Sequence, residues 1–322
     1  MADLEIAACT DDSEWDRFVA DSPQGSIFTS SAYLAALGEE CLRLFVREKG
    51  LPVLGAPILL RSGRPLPQPH GFTQYLGPLF SAAVEQQAGH RRIPQRLRLL
   101  EFLLGQLATQ WPQISFSVHP ALNDVRAFQW FNYHTPELGR FVIHPTYTGR
   151  FEFDGVPSLE AYLERIRAVR RQEFHKVGAL GYAIEECADY TTLDRLHELT
   201  FGRQGIVRQE NEVRLLRALT TAALGHGFGE CLVARSPAGE AASALLFIHD
   251  RNTSYYLFGA NDPNLRKVGA GTWLLIHAID RARRAGRRSI DFVGINSPNR
   301  GDFKTSFGAL PVPYFNVTWT RP

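Results

Sequence analysis

The sequence predicts a mixed α/β protein built as two domains. Three observations carry this. A chain of 322 residues exceeds what one hydrophobic core usually serves. Short strand-like apolar runs alternate with amphipathic helix-like ones along the whole length. The Pro-, Gly- and Thr-rich stretch HPTYTGRFEFDGVPS at 144–158 interrupts that pattern near the middle, which marks a junction between residues 1–149 and 150–322.

In the first half, Ser13 ahead of Glu14, Trp15 and Phe18 predicts a helix over 13–21, stopped by Ser22-Pro23 and Gly25. Ser30 or Ser31 caps a second short helix ending at Gly38. LRLFVREKGLPVLGAPILL reads as a hairpin around Lys49-Gly50, and QYLGPLF at 74–80 as an extended piece. Leu97, Leu100, Leu104 and Leu107 fall at helical spacing within 93–110, while ISFSVHP at 114–120 alternates like a half-buried strand. In the second half, a basic helix is expected from Ser158 to about Gly178–Gly181. A strand at 182–187, helices at 191–203 and 212–225, and a hairpin around Pro237-Ala238-Gly239 follow. The chain then reads as strand 253–261, amphipathic helix 273–286, buried strand 289–294, short helix 302–308 and final strand 312–319. Both halves share a coarse helix-then-hairpin order.

Composition excludes several classes. Lys plus Arg is 35 against 33 for Asp plus Glu, a net charge of +2, far from the basic excess of a dedicated nucleic-acid binder. The hydrophobic fraction of 44% suits a soluble chain, and the longest apolar runs, such as LPVLGAPILL, are half a membrane span. Cys9, Cys41, Cys187 and Cys231 form no CxxC pair, and the histidines show no HxxxH or HExxH spacing; no metal site is expected. The acidic N-terminal stretch lacks a basic region before an apolar one, so a reducing, cytoplasmic setting is expected. GxSxG, GxxxxGK[ST] and GxGxxG are absent.

The most specific local feature is RKVGAG: Arg266, Lys267, Val268, Gly269, Ala270 and Gly271. It lies between the strand TSYYLFGAN and the following helix. Glycines there expose backbone N–H groups at a helix N-terminus, which binds phosphate through those donors and the helix dipole. Arg266 and Lys267 add positive charge. The same glycines also suit a plain left-handed turn before a helix.

R/Q-x-x-G-x-G/A after such a strand resembles the acyl-CoA pyrophosphate signature of the GNAT acyltransferases. YYLFGAN, RKVGAG, LLIHAIDRARRAGRRSIDFVG, DFKTSFG and PYF together resemble the FemAB-like branch, which includes BioF2-like and peptidoglycan-bridge acyltransferases. SPQGSIFTSSAYL, YLGP and the RRQEF helix are weaker matches to it. The resemblance implies two tandem GNAT-like domains, the first on the acceptor side and the second on the donor side, with 312–322 belonging to either. It implies acyl-CoA, acetyl-CoA in the simplest case, as co-substrate, with the 266–271 backbone holding its pyrophosphate. It further implies that the strand 255–259, including Phe258, splays from its neighbour and offers a backbone N–H to the acyl carbonyl. Lys304 matches the lysine of the family's FKxxFG motif, where simple GNAT enzymes often hold a tyrosine acid.

Three residues are catalytic candidates: Lys304, Asp291 and Tyr256. Lys304 would stabilise an oxyanion or contact an acceptor phosphate; a solvated helix face is the alternative. Asp291, in an otherwise apolar strand, needs a partner; it would orient the acceptor amine, help remove its proton, or pair with Arg287 or Arg288. Tyr255 and Tyr256 alternate faces, so at most one meets the donor. Glu230 is a weaker base candidate, Asn296 and Asn299 would line an acceptor loop, and His277 would approach the donor from its helix. Arg281, Arg284 and Arg288 read as one helical stripe, and Arg165, Arg167, Arg170, Arg171 and Lys176 as a second basic face. Either would suit phosphate groups or be simply solvated. The sequence thus points to N-acyl transfer from acyl-CoA to a primary amine of a small molecule, amino sugar or cell-envelope precursor. Aminoacyl-tRNA-dependent transfer and a non-catalytic ligand-binding role are the rivals.

Overall fold

The structure, a computed structural model, describes residues 4–322. Two compact units emerge: Met1–Thr146 with Pro313–Pro322, and Tyr147–Val312.

In the first unit, β1 (Leu4–Ala8), β2 (Glu40–Glu48), β3 (Leu51–Arg61) and β4 (Arg64–Pro65) form an antiparallel sheet in that order, with β5 (Leu79–Phe80) also on β3. The β2–β3 hairpin turns at Lys49 and Gly50, both at positive φ (53° and 79°), the left-handed pair whose twist matches the strands. The helices are α1 (Asp12–Asp21), α2 (Ser31–Ala36), α3 (Ala82–Glu85), α4 (Gly89–Gln110) and α5 (Arg126–Trp130). Asp11 rather than Ser13 caps α1, accepting from the Ser13 and Glu14 N–H groups, and Ser30 caps α2. Leu99, Leu100, Leu103, Leu104 and Leu107 of α4 are buried against β6 (Gln113–Val118), which pairs antiparallel with residues 315–320.

Trp15 anchors a smaller core in this unit. It is fully buried, donates from Nε1 to the Thr29 carbonyl at 2.7 Å, and sits 5.4 Å from the Phe45 ring. Trp15→Ala should cost about 3–5 kcal/mol, read as a lower urea midpoint.

The second unit is built on β7 (Val142–Glu152), which enters it at Tyr147, and on β8 (Ala183–Glu186), β9 (Gly229–Arg235), β10 (Ala241–His249), β11 (Thr253–Asn261) and β12 (Ser289–Gly294). Their order is β7-β12-β11-β10-β9-β8, with β11 and β12 parallel and the other neighbours antiparallel. The expected junction at 144–158 is largely strand rather than coil, because β7 runs through it. Its Thr148 and Phe151 are buried, and Gly149 fits where a Cβ would come 3.0 Å from Ile295 and 3.2 Å from Ala309.

The helices here are α6 (Leu159–Leu163), α7 (Ala168–Ala179), α8 (Thr191–Arg203), α9 (Glu210–Gly225), α10 (Ala270–Arg284) and α11 (Pro298–Thr305). The single basic helix expected after Ser158 is thus two. Arg167 is extended (φ −58°, ψ 143°) and its N–H donates to the Ser306 carbonyl, while Arg171 donates to the Leu163 and Ile166 carbonyls where α6 ends. The last strand is β13 (Leu310–Thr320), and its residues from Pro313 onward group with the first unit. Among the described residues, no helix is long and apolar enough to cross a membrane.

Candidate functional site

The site grows from the turn between β11 and α10. Arg266–Val268 make one 3-10 turn, and Gly269 then adopts φ 98° as the N-cap of α10. The first helical bond runs from the Trp273 N–H to the Gly269 carbonyl. The N–H groups of Ala270, Gly271 and Thr272 therefore precede the helical ladder, and no side chain caps them. At Gly271 a Cβ would fall 2.4 Å from Asn261 Oδ1, so the Asn261 side chain packs into the space that glycine leaves. Arg266, Lys267, Gly269 and Gly271 line a cleft of about 360 Å³ together with Arg170, Glu173 and Phe303.

β11 opens beside this turn. Its parallel ladder with β12 covers Thr253↔Ser289, Ser254↔Ile290 and Tyr255↔Asp291, and ends there. On the other edge the register with β10 slips between Tyr256↔Phe247 and Phe258↔Leu246, leaving Leu257 as a bulge. The bulge brings Tyr256 and Gly259, three residues apart, to one face: a Cβ on Gly259 would overlap the Tyr256 hydroxyl. Burial pushes that hydroxyl up to about 12. Tyr255 instead donates to Asp250 Oδ2 at 2.6 Å. Phe258 is buried, its ring 6.0 Å from that of His197.

β12 ends in a strained corner. Val293 has φ 50°, a conformation that a β-branched residue rarely adopts. The register slips there too, from Asp291↔Arg150 to Gly294↔Thr148. Asp291 holds the corner: buried, its Oδ1 accepts from Thr148 Oγ1 at 2.5 Å and from the Val293 N–H at 2.7 Å. Lys304 holds it from α11, donating from Nζ to the Gly294 carbonyl at 2.9 Å. Burial pulls the Lys304 ammonium down to about 8, the Asp291 charge opposes this, and Arg300 adds to it.

α11 links corner and cleft. Arg170 lies 4.8 Å from the Phe303 ring and 5.4 Å from that of Phe307, and donates from Nε to Ser306 Oγ at 2.7 Å. The structure therefore places Lys304, Asp291 and the open end of β11 around one corner, and the 266–271 turn in a cleft whose wall is also α11. Thr148→Val should cost about 1–3 kcal/mol by removing a hydrogen bond to the buried Asp291 carboxylate; urea unfolding reads this loss.

Other sequence candidates lie elsewhere or are already engaged. Asn296 bonds both the N–H and the carbonyl of Tyr147 at 2.8 Å, extending the β-pairing, and Asn299 lies in a helix rather than a loop. His277 packs against Trp273 and Phe174. Glu230 is held by Arg281 at 2.8 Å, in a separate cleft with His249 and Arg287. Arg287 donates to the Asp250 and Arg251 carbonyls. No single arginine stripe forms, because α10 ends at Arg284, before Arg288. Arg281 pairs with Glu186 and Glu230, and Arg283 and Arg284 with Asp280. Arg165 donates to the Gly155 carbonyl and Arg167 pairs with Asp302. Sequence reasoning missed Glu173, Asn261 and Thr272. The i, i+3 pair Arg170–Glu173 was the available signal, overshadowed by the basic run around it.

Residues 162–305 match the Acetyltransferase (GNAT) domain family. No curated protein sequence matches the chain. Solved structures share the fold at low identity. FemX is 14% identical with a TM-score of 0.72, covering 97% of this chain and 96% of its own. A tandem GNAT protein from the clavulanic acid biosynthesis pathway is 14% identical with a TM-score of 0.54, covering 99% and 98%. L-PGS from Bacillus licheniformis is 11% identical with a TM-score of 0.51, covering 97% and 92%. The fold is shared with FemX and with a tandem GNAT protein, and within the matched residues 162–305 the 266–271 turn leads from β11 into helix α10.

Proposed function

We propose that the protein is an N-acyltransferase that moves an acyl group, acetyl in the simplest case, from acyl-CoA to a primary amine. The observation that carries this reading is the cleft at the start of α10, where uncapped N–H groups meet Arg170, Arg266 and Lys267 in a GNAT domain. These groups suit a diphosphate. The 150–322 region would supply the donor site and the 1–149 region the acceptor side.

The acceptor's neutral amine attacks the thioester carbonyl directly in a ternary complex. A C–N bond forms, the C–S bond breaks, and the amine's proton passes to water or a base. Charge develops on the carbonyl oxygen, and donors there lower the barrier most. Backbone N–H groups of the bulged β11 stretch and the Lys304 ammonium are the proposed donors. Asp291 keeps Lys304 charged and fixes the Val293 corner. Tyr256, held protonated by burial, is the proposed proton source for the leaving thiolate.

The alternative is aminoacyl-tRNA-dependent transfer, which the fold likeness to FemX keeps in view. The engagement of most arginines in internal pairs argues against a tRNA track on those helices. Mass spectrometry of purified protein with acetyl-CoA and a panel of small amines and amino sugars tests the proposal. Acetylated product with release of free CoA supports it; product only with aminoacyl-tRNA replaces it.

A further inference from the structure

The donor cleft already contains an anion. Glu173 Oε2 accepts from Thr272 Oγ1 at 2.6 Å and from Arg170 NH1 at 2.7 Å. Thr272 is in the first turn of α10, so this carboxylate lies at the positive end of the helix, where a donor phosphate is expected. Glu173 also crowds the glycine turn: a Cβ on Gly269 would meet its Cβ and Cγ at 3.2 Å. It lines the cleft together with Arg266 and Lys267.

We infer that Glu173 is a specificity-determining gate of the donor site, an internal carboxylate that competes with the donor's diphosphate for Arg170 and the α10 N-terminus. This rests on the reading of the cleft as the donor site. Two consequences follow from the charge. A diphosphate entering the cleft meets like charge until Glu173 swings away, and Arg170 becomes available to the ligand only once that ion pair opens. Arg170 itself stays in place throughout, because Ser306 and the rings of Phe303 and Phe307 hold its other contacts. The gate therefore lowers affinity for anionic donors as a class and leaves uncharged ones unaffected.

Glu173→Gln keeps the shape and removes the charge. Titrated calorimetrically with acetyl-CoA, this variant should bind about tenfold tighter than the wild type, the scale of one partly screened charge interaction. Acetyl-pantetheine, which has the thioester arm but no phosphate, separates charge from packing and should bind both proteins equally. Arg170→Gln should weaken acetyl-CoA binding in the wild-type background and weaken it more in the Glu173→Gln background, where no carboxylate has to be displaced from Arg170 first, because the two residues are coupled. Equal or weaker acetyl-CoA binding by Glu173→Gln overturns the gate. So does an equal gain for acetyl-pantetheine, which would make the effect one of packing. If neither protein binds acetyl-CoA, the donor reading falls and the gate with it, whereas binding without a Glu173 effect removes the gate alone.

Discussion

Acetyl-CoA binding is expected to weaken at least about 100-fold in the Gly269→Val, Gly271→Val double variant, roughly 3 kcal/mol of binding energy. Gly269 sits at φ 98°, where a β-branched side chain is strained by about 1–3 kcal/mol. At Gly271 the new Cβ would come 2.4 Å from Asn261 Oδ1, so the Asn261 side chain must turn away. Relief of the strain at position 269 misaligns the N–H groups of residues 270–272, which carry the proposed diphosphate contact. The rest of α10 is deeply packed, with Leu274, Leu275, Ile276 and Ile279 all buried. The fold should therefore survive with reduced stability, and circular dichroism alongside the titration separates lost binding from lost structure. Undiminished binding would move the donor away from this turn.

The second large effect is on turnover. Lys304→Met should lower kcat by about 100- to 1000-fold, the range for one oxyanion donor, with acetyl-CoA affinity little changed. Its pH dependence is specific. The Lys304 ammonium is pulled down to about 8, so the charged form is lost as pH rises through that value, and the rate should fall on that limb. Lys304→Arg keeps its charge there, so the limb should disappear even if the rate is lower. The same shift bears on stability. Between about 8 and the ordinary lysine range, the unfolded chain binds a proton that the folded chain does not, so this residue's contribution rises with pH across that window and is unfavourable below it. Turnover unchanged in Lys304→Met would leave the lysine a structural anchor for the Gly294 carbonyl.

Most elements were legible because their signals are local. The Lys49-Gly50 hairpin, the α4 leucines and the RKVGAG turn each declare themselves within a few residues. What stayed hidden depends on distant partners. The break between α6 and α7 is fixed by Ser306, well over 100 residues away, which no helical periodicity encodes. β7 runs through the Pro-, Gly- and Thr-rich stretch read as a junction because its neighbour β12 gives Thr148 and Phe151 a buried place. Asp291 was correctly marked as needing a partner, but Thr148 and the Val293 N–H come from folding rather than from sequence proximity. Arginine runs misled for a related reason: charge at helical spacing says nothing of the carboxylates and carbonyls that tertiary structure brings to Arg281, Arg283 and Arg171. Glu173 was missed because one acid among five basic residues reads as noise until Thr272 is placed beside it.

The central claim is that the α10 cleft binds acyl-CoA, and a calorimetric titration of the wild-type protein with acetyl-CoA and longer acyl-CoAs tests it most directly. Saturable one-to-one binding with a Kd of about micromolar order, abolished in the Gly269→Val, Gly271→Val variant, is the expected result. No binding of any acyl-CoA by well-folded protein would contradict it.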